Sequence, residues 1–208
     1  MRGFSAFRAV SALILREMAT SFGRTPGGYL WAIAEPVAAV SLLVFVFSMA
    51  FDQPPLGKDF ALFYASGYLP FMLYSDLAQK IGVALRFSRP LLAYPAINWL
   101  DALLARFILN TLINFLVFAL VIWAILIRLP HPVIPDFPKL FLGLSLAAFL
   151  GLGIGALNAF LFEMFPVWER LWAILNRPLF ILSGVLFLPE AVPMPFDGWL
   201  WFNPIVHV

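Results

Sequence analysis

The chain has 208 residues, of which 63% are hydrophobic, 12% charged and 17% aromatic, with a net charge of +2 and no cysteine. So few charges cannot coat a water-facing surface, which excludes an ordinary soluble globular domain and makes lipid the solvent for much of the chain. The missing cysteines exclude disulfides and thiolate chemistry, and two histidines, His131 and His207, argue against a His-rich metal site.

The predicted architecture is an all-α integral membrane protein, a polytopic helical bundle. Residues 1–24 are predicted to form an amphipathic helix lying on the membrane surface. Phe4, Phe7, Leu15, Met18 and Phe22 fall on one helical face, with Arg2, Ser5, Arg16 and Ala19 roughly opposite. The apolar run from Ala9 to Leu15 is short, and Arg16 and Glu17 follow it where a secretory signal needs small residues.

Residues 25–188 are predicted to form the transmembrane domain, with five apolar segments. The first, 28–51, carries one charge, Glu35. At a rise of ~1.5 Å per residue it is long enough to cross a hydrocarbon core of ~30 Å. The second, 60–80, is predicted to be broken by Pro70. The third, 107–127, and the fourth, 140–162, hold no charged residue. The fifth, 171–188, contains Arg177 and Pro178, which predicts a kink or a shallow entry. A loop at about 84–100 separates the second and third.

The links alternate in charge. Ten cations (Arg2, Arg8, Arg16, Arg24, Lys80, Arg86, Arg89, Arg106, Arg170 and Arg177) fall on one side, and three (Lys58, Arg128 and Lys139) on the other. The positive-inside rule therefore predicts a cytoplasmic N-terminus. An odd number of spans leaves the C-terminal segment outside. Residues 189–208 interleave Pro189, Pro193, Pro195 and Pro204 with Trp199, Trp201 and Phe202. Too broken to span, they are predicted to form an extracytoplasmic re-entrant or interfacial hairpin. The ending WFNPIVHV, without a polar tail, reads as a truncation.

Catalytic motifs are missing. There is no GxxxxGK[ST] phosphate loop, no HExxH and no GxSxG. Gly151, Gly153 and Gly155 spell GLGIG, but inside an uncharged span, with no preceding strand, this is not a nucleotide fingerprint. Gly151 and Gly155 also make a GxxxG, which lets two membrane helices approach closely and permits a dimer. A membrane-embedded transferase would need convergent acids or histidines, and Glu35, Asp76, His131 and His207 are scattered. No catalytic residue, metal site or nucleic-acid partner is expected.

The stretch REMATSFGRTPGGYLWAIAEP, residues 16–36, resembles the opening of ABC-2 type permeases that export polysaccharides. SGYLPFMLYSDLAQKIGVALRFSRPLLAYPAINWLDALLAR (66–106), FPVWERLWAILNRPLFILSGVLFLPEAVP (165–193) and WFNPIVHV resemble further parts of the family in order. The likeness is greatest to the permease subunit of capsular polysaccharide exporters. It implies a type V exporter half-transporter: two copies of this chain with two copies of a P-loop ATPase subunit. A sixth span is then expected beyond residue 208. ATP and Mg would belong to the ATPase, with none bound by this chain. The cargo would be a polysaccharide, with or without a lipid cap, crossing the bacterial inner membrane among lipids and periplasmic export proteins. Export of lipid-linked O-antigen or teichoic acid, or of a drug or lipid, stays open as an alternative.

Candidate working residues follow. Within the 84–100 loop the resemblance implies a coupling helix that docks on the ATPase, carried by Arg86, Arg89, Pro90, Leu91, Leu92 and Tyr94, with Pro90 and Pro95 bounding it. A positive-inside loop touching only headgroups is the plainer reading. A lipid-facing acid at a helix centre costs ~2.5–3.5 kcal/mol, so Glu35 is expected to face protein, water or Arg24, and it reads as a gate or a contact with the amphipathic helix, or else as an ordinary interfacial ion pair. Asp76 and Lys80 are an i,i+4 helix pair. Asp101 and Arg106, five apart, are off each other's face and are not expected to pair; the resemblance at LDALLAR implies that both anchor the base of the third span. Tyr64, Tyr68, Phe71 and Tyr74 around Pro70, with Trp172, Phe180 and Phe187, could line a polysaccharide path, since rings stack on sugar C–H faces and tyrosyl hydroxyls bond to sugar hydroxyls. They could equally face lipid. Trp199 and Trp201 read as an outer gate or as interfacial anchors.

Overall fold

The computed structural model describes residues 2–21, 27–94, 97–130, 133–188, 190, 192 and 197–207, without the side chains of 2–6, 21, 29, 197 and 199. Within these, the helices are α1 (Arg2–Ser21), α2 (Gly28–Ala50), α3 (Phe60–Gly82), α4 (Ala84–Ser88), α5 (Trp99–Arg128), α6 (Phe137–Met164), α7 (Trp168–Ile181) and α8 (Asp197–Leu200), followed by a 3-10 turn, Pro204–His207. No strand occurs among the described residues.

Local chemistry starts these helices. Asp59 Oδ1 accepts from the Leu62 N–H at 2.8 Å and caps α3. At α5, Asn98 accepts from the Trp99 N–H while Asp101 Oδ2 accepts from the Asn98 N–H, a reciprocal capping box. This box starts α5 at Trp99, earlier than the predicted 107. Asp136 caps α6, with Pro138 in its first turn.

Among the described residues, three helical segments are long and apolar enough to cross a membrane: Leu30–Ala50, Trp99–Arg128 and Phe137–Met164. The chain is a multi-pass membrane protein. α3 is the central helix. It packs most extensively on α6, then on α5 and α2, and supplies Tyr64, Leu73, Leu77 and Ile81, four of the five largest fully buried side chains among the described residues.

The predicted break at Pro70 does not occur: α3 runs unbroken from Phe60 to Gly82. A proline removes one backbone hydrogen bond, and a helix surrounded by other helices tolerates the loss. Gly151 and Gly155 are spent inside the chain. A Cβ on Gly151 would lie 2.8 Å from Leu77 Cβ, and one on Gly155 would lie 2.7 Å from Ile81 Cβ. The small-residue stripe thus seats α6 on α3, and it supplies no contact surface for a second copy.

α7 differs from the predicted fifth segment. It stops at Ile181, after Pro178, and residues 182–188 form turns. Its 14 residues give about 21 Å, less than a hydrocarbon core. Gly184, at φ +78°, allows the turn that follows. That turn carries Val185 back to α3, where a Cβ on Gly67 would meet Val185 Cα at 3.5 Å. Asn203 then donates to the Leu182 carbonyl at 3.0 Å and Ile205 is buried, so the C-terminal turn docks beside the end of α7.

Candidate functional site

The helices alternate in direction. The ends of α3 and α6 therefore meet the starts of α5 and α7 on one side of the bundle, together with α1 and α4. This side holds the densest charge. α4 is followed by a turn, residues 89–94, tied back by bonds from the Leu91 and Leu92 N–H groups to the Ser88 carbonyl at 2.8 and 3.1 Å. Arg89, Pro90 and Tyr94 are exposed on it, while Leu91 and Leu92 are half-buried. Pro95 lies outside the described residues.

Arg86 is engaged within the chain. Its Nη1 donates to Glu169 Oε2 at 2.6 Å, its Nη2 donates to the Phe162 carbonyl at 3.2 Å, and its Nε sits 3.7 Å from Glu163 Oε1. The hydrogen bond to Glu169, reinforced by that carboxylate's charge, raises the Arg86 pKa above its ordinary value. Phe87, next in sequence, lies between two guanidinium groups. Arg16 Cζ is 5.1 Å from the ring centre and Arg106 Cζ is 4.4 Å from it, both within cation–π range.

A polar chain runs from this side into the bundle. Arg106 Nε lies 3.3 Å from Glu17 Oε2, and Arg106 Nη1 donates to the Lys80 carbonyl. Lys80 Nζ donates to Asp76 Oδ2 at 2.9 Å and to Asn110 Oδ1 at 2.8 Å. Asn114 Nδ2 donates to the same Asp76 oxygen at 2.9 Å. The amphipathic helix is therefore joined to α3 and α5 by charge as well as by packing. Asp101 serves the capping box and makes no pair with Arg106, as the spacing predicts. Glu17, Asn110 and Asn114 were not identified from sequence. A usable signal was present, because two amides at i,i+4 in an otherwise apolar span need polar partners.

Glu35 is exposed on α2 and borders a cleft of about 390 Å³ that it shares with Trp31, Asp76, Lys80 and Asn114. Arg24, its predicted companion, lies outside the described residues, as does His131. The aromatic set divides. Tyr64 is buried against Phe47 of α2, with ring centres 5.0 Å apart. Tyr68, Phe71 and Phe180 come together, with Phe180 at 6.0 Å from Tyr68 and 5.3 Å from Phe71, both edge-on. Phe71 and Tyr74 also line a cavity of about 160 Å³ closed by Ser183, Val185 and Ile205. Trp172 and Phe187 are half-buried and are not part of this group. Trp201 is tilted against His207, whose Nε2 is 2.8 Å from the Trp201 carbonyl; the Trp199 side chain is outside the described residues.

Among the described residues, no three His, Cys, Asp or Glu side chains gather closely enough to hold a metal ion. The arrangement offers a braced helical bundle, an exposed turn and an aromatic cluster.

Residues 8–208 match the family described as ABC-2 type transporter. The polysialic acid transport protein KpsM of Escherichia coli is 32% identical over 199 residues, covering 96% of this chain and 77% of that protein. The capsule polysaccharide export inner-membrane protein CtrC of Neisseria meningitidis serogroup B is 25% identical over 201 residues, covering 96% and 76%. BexB of Haemophilus influenzae, named for the same export, is 25% identical over 205 residues with the same coverage.

Proposed function

The chain belongs to the ABC-2 type transporter family, and from that premise we propose that it is the membrane-spanning permease subunit of an ATP-driven exporter carrying a capsular polysaccharide out of the cytoplasm across the bacterial inner membrane. One observation carries the reading. Relatives named for polysialic acid transport or capsule polysaccharide export align along 96% of this chain.

The subunit supplies path and coupling, and ATP hydrolysis belongs to a P-loop ATPase partner with its Mg. The crowding of cations on the side holding α1, α4 and the 89–94 turn supports a cytoplasmic N-terminus and a cytoplasmic docking turn. Arg89, Pro90, Leu91, Leu92 and Tyr94 meet the ATPase there. Two copies of this chain and two of the ATPase enclose the path. Tyr68 and Phe180, half-buried beside the core residue Phe71, supply rings for sugars to stack on, and a sliding polymer needs such weak, sequence-tolerant contacts. Glu35 and Trp201 are assigned to gating at the two ends of the path.

The test is co-purification of the tagged full-length protein from its native membrane, scored for a P-loop ATPase and bound glycan. Both are expected with the wild type, and Leu92→Asp is expected to lose the ATPase while still inserting. An ATPase without glycan, in a host that makes no such polymer, would favour a drug or lipid exporter. No ATPase under conditions that preserve other membrane complexes would remove the half-transporter reading.

A further inference from the structure

Two neighbouring side chains of α4 reach different parts of the bundle. Arg86 grips the junction of α6 and α7 through Glu169, Glu163 and the Phe162 carbonyl. Phe87 sits between Arg16 of α1 and Arg106 of α5. Ala84 and Ser88 are buried, and the following turn is hydrogen-bonded back to Ser88. α4 and the turn are thus hydrogen-bonded into one body, with one arm on α7 and another on α1.

α7 is the helix this matters for. It has no buried residue, so packing holds it only lightly. Its described polar ties are Glu169 to Arg86, Trp168 Nε1 to Asn158 Oδ1 at 3.0 Å, and Asn176 Nδ2 to Ser75 Oγ at 3.3 Å. Its far end carries Phe180 against Tyr68 and Phe71. The Arg86–Glu169 pair is 45% and 43% exposed, and such pairs add little to folding. A tie of this kind transmits position at small cost in stability.

We infer that Arg86 is a positioning residue that carries displacement of the 89–94 turn into α7 through Glu169, and that it does not itself touch the ATPase. This rests on the exporter reading above. It separates docking, on residues 89–94, from transmission, on residue 86.

The experiment uses the full-length chain with its ATPase, comparing Arg86→Ala, Glu169→Gln, the double variant and Arg86→Lys. Three quantities are read: ATPase co-purified, ATP hydrolysis by the purified complex, and polysaccharide reaching the cell surface. Co-purification and hydrolysis should stay at wild-type levels in all four. Export should fall about tenfold in each of Arg86→Ala and Glu169→Gln, and no further in the double variant, because both cut the same link. Arg86→Lys, which keeps the charge opposite Glu169, should retain most export. Loss of the ATPase from Arg86→Ala, wild-type export, or additive losses in the double variant would each overturn the inference. If Arg86→Ala fails to accumulate, Glu169→Gln and Arg86→Lys decide by the same criteria. No ATPase with the wild type would overturn the exporter reading, and the inference with it.

Discussion

Glu17 of α1 and Arg106 of α5 form an ion pair, Oε2 to Nε 3.3 Å, with side chains 9% and 8% exposed. It fastens a helix predicted to lie on the membrane surface to one predicted to cross it. Removing one member of a buried pair strands the other charge, at a cost of ~3–5 kcal/mol. Glu17→Leu is therefore expected to lower thermal stability in detergent sharply. The double variant Glu17→Leu/Arg106→Met should recover part of the loss, though not all, because Arg106 also donates to the Lys80 carbonyl and stacks on Phe87. A double variant as unstable as the sum of the singles would show that the two charges do not act as a pair.

The seating of α6 on α3 predicts a position-specific response to added volume. Gly151→Val and Gly155→Val must each displace α3 atoms less than 3 Å from the new Cβ, and overpacking of this kind costs ~1–3 kcal/mol. Gly153, between them, has nothing within 4 Å. Gly153→Ala should be neutral or gain up to ~1 kcal/mol from helix propensity. Chemical-denaturation midpoints of the three variants check this, and equal losses at all three positions would contradict the assigned face.

Two tyrosines near Pro70 should behave differently. Tyr64 is 1% exposed and packs on Phe47 and Phe63, so Tyr64→Ala leaves a cavity costing ~3–5 kcal/mol. Its export per folded molecule should be unchanged. Tyr68 is half-buried beside Phe180, so Tyr68→Ala should fold and export more slowly, with Tyr68→Phe restoring the ring pair. Normal export by Tyr68→Ala would remove that residue from the path.

Local spacing made several features legible. Asp76 and Lys80 are one helical turn apart, and they pair at 2.9 Å. The spacing of Asp101 and Arg106 keeps them from pairing, and each finds another partner. The Gly151–Gly155 spacing signalled close helix approach but not the partner, which is α3 of the same chain. Arg86 in a basic loop reads as surface charge until Glu163 and Glu169, far along the sequence, come beside it.

By itself, the sequence determined the solvent, the helical class and the order of apolar segments. Those follow from composition and from lengths set against a bilayer of fixed thickness. Only the tertiary structure decided which polar groups meet. Arg86 and Glu169 are 83 positions apart, and their contact depends on how α3 and α6 end on the same side of the bundle. The tertiary structure also decided which aromatics are buried in the core and which stay half-buried at its edge, because an apolar helix facing lipid on one side and protein on the other lacks the polar stripe that marks the exposed face of a soluble helix.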